Sequence, residues 1–141
     1  MASNPLVDQV MTREPAVVAP NDPIRAAIER MRERGCRRLP VVENGKVVGI
    51  VSDRDLRRAT NSPLVLRERW YDEFMLDHVQ VRACMTANPV TVSPATPIVE
   101  AAKLMRDKKF GGLPVVADGR LVGIVTETDL LNYLIQTLET H

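Results

Sequence analysis

The chain has 141 residues, a formal net charge of +1, and 45% hydrophobic and 26% charged residues. These are the values of an ordinary globular protein large enough to bury a real core. They argue against a chain that lives on a nucleic-acid backbone, which carries a marked basic excess, and no apolar run approaches the ~18 residues that span a membrane. Residues 1–15 show no basic region followed by an apolar stretch, so a cytoplasmic protein without a secretory leader is expected. Aromatic residues make up 4% of the chain, so the core must be built from Val, Leu, Ile, Ala and Met.

In chain order, Met11-Thr12-Arg13-Glu14-Pro15 leads into a short strand at Val17 and Val18. A helix follows. Asp22 is placed to cap its free N–H groups, and Pro23 sits at the first helical position, where a missing N–H costs nothing. Ile24, Ala27, Ile28 and Met31 recur at helical spacing and predict one buried face. The apolar run from Leu39 to Val42 and the run from Val47 to Val51 flank Asn44-Gly45, a strong hairpin signal. A last helix is predicted to start near Ser52, with acids in its first turn.

The same pattern returns at a fixed offset of 74 residues. Between residues 11–56 and 85–130, 21 of 46 aligned positions are identical with no gap. Thr96 and Pro97 replace Asp22 and Pro23. Ile98, Ala101, Ala102 and Met105 form the helix face, and Asp118-Gly119 makes the second hairpin. Each copy reads β-α-β-β-α and buries too little alone, so two copies packed sheet to sheet are expected to form one α+β module. The boundaries read as residues 1–60, a connector at 61–80, and residues 81–141 with a C-terminal helix over 129–140.

The connector holds Leu66, Trp70 and Phe74 at helical spacing, so part of it is expected to be helical. Trp70, Tyr71 and Phe74 either pack on the module or form a contact with a second subunit or partner. Leu130, Leu131, Leu134, Ile135 and Leu138 make a stripe on the C-terminal helix that is wider than one sheet needs, a candidate dimer face. Cys36 and Cys84 share no metal-binding spacing and read as two buried reduced thiols.

The ordered pattern Met-Thr-x-x-Pro, then Ile-x-x-Ala-x-x-x-Met, then Leu-Pro-Val-Val-x-x-Gly-x-[Val/Leu]-Val-Gly-Ile-Val-[Ser/Thr]-x-x-Asp-Leu resembles the cystathionine-β-synthase (CBS) motif. It occurs twice and covers nearly all of the chain outside the connector and termini. The resemblance implies a CBS pair: two motifs around a pseudo-two-fold axis, with clefts between them and a tendency to dimerise. It also implies a regulatory ligand, AMP, ADP, ATP or S-adenosylmethionine, with no required cofactor. The family's ligand signature falls on Gly49-Ile50-Val51-Ser52-Asp53-Arg54-Asp55 and Gly123-Ile124-Val125-Thr126-Glu127-Thr128-Asp129.

Carried over, Asp55 and Asp129 would accept from ribose hydroxyls, and Ser52 and Thr126 would donate to phosphate. A helix N-terminus suits a phosphate on physical grounds, and a carboxylate suits vicinal hydroxyls. The plainer alternative is that these four residues only cap their helices. In the family, the residues just before Leu39 and Leu113 flank the base, and the resemblance makes Leu39, Pro40, Leu113 and Pro114 candidate ligand-binding residues with them. Here the copies differ, with Arg37-Arg38 against Gly111-Gly112, and Arg54 against Thr128. The arginine-rich copy is expected to supply most phosphate contacts, while Arg30, Arg32 and Arg34 read as a solvated helix face.

No nucleophile–base pair, paired acids, phosphate-binding glycine loop or metal-ligand cluster stands out, so no enzyme and no metal site are expected. The expected role is a regulatory module that binds an adenosine nucleotide, forms a homodimer and signals to a separate effector protein. A ligand-free dimerisation module is the alternative, and nucleic-acid binding through residues 30–38 comes third.

Overall fold

The computed structural model describes residues 4–60 and 69–140. The chain forms two compact units, and each draws on both ends of the repeat. Residues 16–89 form one unit; residues 1–15 and 90–141 form the other.

The first of these units holds α1 (Ile24–Arg34), β2 (Arg38–Glu43), β3 (Lys46–Ser52), α2 (Asp53–Thr60), α3 (Arg69–His78) and β4 (Thr86–Ala87). Its sheet has the order β2-β3-β4 and is antiparallel throughout. The hairpin turns through Asn44 and Gly45 at φ 53° and 79°, the left-handed pair that the Asn-Gly dipeptide predicts. Ile24, Ala27 and Met31 of α1 pack with Leu39, Val41, Val51 and Leu56 in one core.

The other unit repeats this plan with β1 (Thr12–Arg13), α4 (Ile98–Lys108), β5 (Gly112–Ala117), β6 (Arg120–Thr126) and α5 (Glu127–Glu139). Its sheet runs β1-β6-β5, and Asp118 and Gly119 close its hairpin at φ 52° and 78°. Val7, Met11, Ala101, Met105, Leu113 and Val125 share its core. Both hairpins carry a register shift at the same place, after Val41 and after Val115.

The third strand of each sheet comes from the Met-Thr segment that opens the opposite repeat in sequence. Thr12 pairs with Ile124 and Thr86 with Ile50. The strand expected at Val17 and Val18 and its counterpart in the second copy shrink to single parallel bridges, Val18 to Val41 and Val92 to Val115. This arrangement gives the invariant part of the repeat, Met-Thr, a structural role in the other copy's sheet.

The helix starts also differ from the sequence reading. The N-cap positions of α1 and α4 are Pro23 and Pro97, and neither helix has a side-chain cap. Asp22 instead accepts from the Ala19 N–H, and Thr96 from the Ser93 N–H, closing the turn before each helix. The first helical N–H is satisfied by backbone: Ile24 donates to the Val79 carbonyl (3.0 Å) and Ile98 to the Pro5 carbonyl (2.8 Å). A neighbouring carbonyl already fills the place a cap would take.

The connector does form a helix, α3, tied to α1 by Arg25, which donates to Glu73 and Asp77. The Phe74 ring stacks on His78 at 3.9 Å and is half exposed. Leu66 and the side chains of Trp70 and Tyr71 lie outside the described residues. Cys36 and Cys84 are free and only partly buried, at the margin of the core rather than inside it. Among the described residues, no helix is long and apolar enough to cross a membrane.

Candidate functional site

Each repeat ends its hairpin in a turn that launches a helix, and the signature residues meet there. In the first copy, the Ser52 N–H donates to Asp55 Oδ2 (2.8 Å) and the Asp55 N–H donates to Ser52 Oγ (3.1 Å). In the second copy, the Thr126 N–H donates to Asp129 Oδ2 (2.8 Å) and the Asp129 N–H to Thr126 Oγ1 (3.3 Å). These are reciprocal capping boxes, with Asp in the place usually held by Glu or Gln. Capping is therefore part of what these residues do in both copies.

The two boxes leave different groups open. Thr126 Oγ1 also donates to Asp129 Oδ2 (3.1 Å), and Thr12 Oγ1 donates to Asp129 Oδ1 (3.2 Å). The second box is thus closed on both carboxylate oxygens. In the first, Ser52 Oγ only accepts among the described residues, which leaves its O–H available as a donor. Asp55 Oδ1 has no partner among the described residues. Both side chains are partly buried. One free donor and one free acceptor stand side by side at the start of α2.

Strands β2 and β5 carry the next candidates to the same place. Arg38 lies opposite Ser52 in register, and the Arg37 carbonyl accepts from the Asp53 N–H (2.9 Å). Gly112 lies opposite Thr126, and the Gly111 carbonyl accepts from the Glu127 N–H (3.1 Å). Leu39, Pro40, Leu113 and Pro114 are buried on the strands that follow Arg37, Arg38, Gly111 and Gly112. Arg54 is exposed on the first turn of α2, and Arg57 pairs with Asp53 at 3.3 Å. Arg30 is structural: its guanidinium donates to the Val17 carbonyl and to Asp22.

Two neighbours of these turns were not evident from the sequence. Thr12 reaches Asp129 only because β1 crosses to the other repeat's sheet. Cys84 stands where the first copy has Val10, and it senses the Asp55 charge. Burial pushes its thiol up, and Asp55 adds to the shift. The substitution of Cys for Val was the one available signal.

The CBS domain model matches residues 7–62 and 81–136. The chain is 42% identical over 136 residues to a CBS domain-containing protein of Dictyostelium discoideum, covering 95% of this chain and 94% of that one. It is also similar to the crystal structure of CBSX2 in complex with AMP, at 31% identity and a TM-score of 0.77, covering 93% and 97% of the two chains. CBSX2 is a CBS-pair protein of Arabidopsis thaliana. The CBS domain pair of protein MJ0100, in complex with 5′-methylthioadenosine and S-adenosyl-L-methionine, superposes with a TM-score of 0.79 at 26% identity, covering 96% and 99%.

Proposed function

The chain belongs to the CBS domain family, and from that premise we propose that it is a regulatory module whose ligand is an adenosine nucleotide. The observation that carries this reading is the open pair at the first box. Asp55 Oδ1 is free to accept from a ribose hydroxyl while Oδ2 holds the Ser52 N–H. The Ser52 O–H is free to donate to a phosphate while its oxygen holds the Asp55 N–H. Capping and ligand binding are thus compatible, because each side chain has one atom for each task.

In this reading Arg37, Arg38 and Arg54 supply charge for the phosphate. Gly111 and Gly112 let backbone approach a base in the second copy. Thr126 and Asp129 form a second, weaker position, because Thr12 competes for Asp129. The ligands of CBSX2 and of the MJ0100 pair both contain adenosine, which supports AMP, ADP, ATP or S-adenosylmethionine as candidates here. The module acts in the cytoplasm as a homodimer and reports its occupancy to a separate effector protein.

Isothermal titration with AMP, ADP, ATP and S-adenosylmethionine tests this on wild type, Asp55→Ala and Asp129→Ala. Binding lost in Asp55→Ala and largely kept in Asp129→Ala supports it. No binding of any of the four to folded protein at millimolar concentration removes it. In that case the exposed apolar stripe on α5, Leu131, Leu134, Ile135 and Leu138, favours a module whose role is dimerisation alone.

A further inference from the structure

We infer that the Ser52 turn selects a polyphosphate, two or more phosphates in line, over a monophosphate. This deepens the adenosine-nucleotide reading and rests on it for the base and ribose.

The argument is one of charge placed around equivalent backbones. Arg37 and Arg38 enter β2 within one hydrogen bond or one register pair of the turn. Arg54 follows on α2, and Arg58 lies one turn further along the same helix face. None of these four guanidinium groups has a hydrogen-bond or ion-pair partner among the described residues. Arg37, Arg54 and Arg58 are exposed and Arg38 is partly so. Asp53, on the same first turn of α2, pairs with Arg57 at 3.3 Å.

At the matching positions the second copy has Gly111, Gly112, Thr128 and Asn132, with Glu127 for Asp53 and Leu131 for Arg57. One turn is therefore net positive and the other net negative on the same scaffold. Four arginines on neighbouring elements, without an ion-pair partner among the described residues, repel one another. A single phosphate satisfies one or two forks. A chain of phosphates reaches further along α2 and meets Arg54 and Arg58 as well. The open Ser52 hydroxyl and α2 N-terminus fix where that chain begins.

The test is a binding ladder in the absence of divalent cations: adenosine, AMP, ADP, ATP and inorganic tripolyphosphate. It is run on wild type, on Arg37→Gln/Arg54→Gln, and on Lys103→Gln, an exposed charge removed from the other unit. Each exposed charge-assisted contact is worth up to about a fivefold change in affinity. ATP is expected to bind wild type at least ~10-fold more tightly than AMP. The arginine double variant should weaken ATP more than AMP and bring the two to within about threefold of each other, and Lys103→Gln should leave the ladder intact.

Equal affinity for adenosine, AMP and ATP in wild type overturns the inference and leaves the adenosine reading standing. So does a ladder that survives in the double variant, or one that Lys103→Gln flattens equally. Tripolyphosphate binding as tightly as ATP through the arginines, with no binding of adenosine or AMP, supports the inference and removes the adenosine reading.

Discussion

A Cβ placed on Gly49 would lie 2.5 Å from the sulfur of Met85 and 3.0 Å from the Thr86 carbonyl oxygen. Gly123 has the same relation to Met11, at 2.8 Å, with the Thr12 carbonyl also at 2.8 Å. The glycine of each hairpin and the methionine of the opposite repeat are therefore a matched pair. The glycine is small so that the exchanged strand can lie against it. Gly123→Ala is expected to destabilise the fold by about 1–3 kcal/mol, because a backbone carbonyl must move. Gly49→Ala should cost less, since a flexible Met side chain meets the new methyl first. Denaturant melts of the two variants check this, and an unchanged midpoint for Gly123→Ala contradicts the pairing.

That exchange marks the boundary of what the sequence makes legible. Asn44-Gly45 and Asp118-Gly119 demand left-handed backbone at two successive positions, so their hairpins could be read locally. The α1 and α4 faces follow from a period of 3.6. In contrast, Thr12–Arg13 and Thr86–Ala87 form strands of two residues, too short for any period, and an internal repeat presents two equivalent edges to each. Which edge is chosen is decided by packing. The signature at Ser52 and Asp55 was legible as a cap and, through the resemblance, as a ligand group; the structure shows the cap, with one atom of each side chain outside it. The Thr12 contact was not legible, because it depends on the exchange.

Thr12 holds Asp129 Oδ1 in the second box, and the equivalent oxygen in the first box has no partner among the described residues. Thr12→Val is expected to release that oxygen and raise nucleotide affinity at the second box, seen as a second binding event or a higher stoichiometry in titration. Stability should fall by about 1 kcal/mol or less, since one exposed neutral-to-charged hydrogen bond is lost. If Thr12→Val leaves the isotherm unchanged, the competition argument fails.

Arg25 bridges α1 to α3 through Asp77 (2.5 Å) and Glu73 (2.6 Å). The hydrogen bond from Arg25 holds the Asp77 carboxyl below the usual carboxylate range. A carboxylate lowered on folding contributes stability at pH values above its unfolded pKa, and loses it as pH falls through the folded one. The docking of α3 is therefore expected to persist at neutral pH and loosen in acid, below the ordinary carboxylate range. Hydrogen exchange of the α3 amides should accelerate in that window in wild type. In Asp77→Asn it should already be faster at neutral pH, with a flatter acid response. Identical exchange profiles for the two proteins would discount the bridge.

Burial first, and the Asp55 carboxylate second, push the Cys84 thiol up. In a Cys36→Ser background, alkylation of Cys84 by iodoacetamide is expected to reach half its maximal rate at a pH above the ~8.5 of a free thiol. Asp55→Asn should bring that midpoint down by removing the neighbouring negative charge. The same experiment reports on the site, because a ligand held by Asp55 would slow the labelling. A midpoint at or below that of free cysteine, unaffected by Asp55→Asn, would separate Cys84 from the Asp55 turn.

The C-terminal helix leaves Leu131, Leu134, Ile135 and Leu138 each at least half exposed. Beside it, α4 and α5 enclose a groove of about 440 Å³ whose apolar floor includes Leu131 and Leu134. Arg106 and Lys109 flank the groove from α4, and Glu127 flanks it from α5. A patch that carries an apolar centre with both signs of charge on its rim is complementary to a copy of itself. A two-fold contact lets the acid of each copy face the bases of the other. We therefore expect a homodimer through this face. Leu134→Glu should place two carboxylates in the centre of that contact and give a monomer in sedimentation velocity, at a concentration where wild type is dimeric. Because Leu134 is already half exposed, the helical circular dichroism of the variant should match wild type. A wild-type protein that stays monomeric at high micromolar concentration, or a Leu134→Glu variant that stays dimeric, would place the second copy elsewhere.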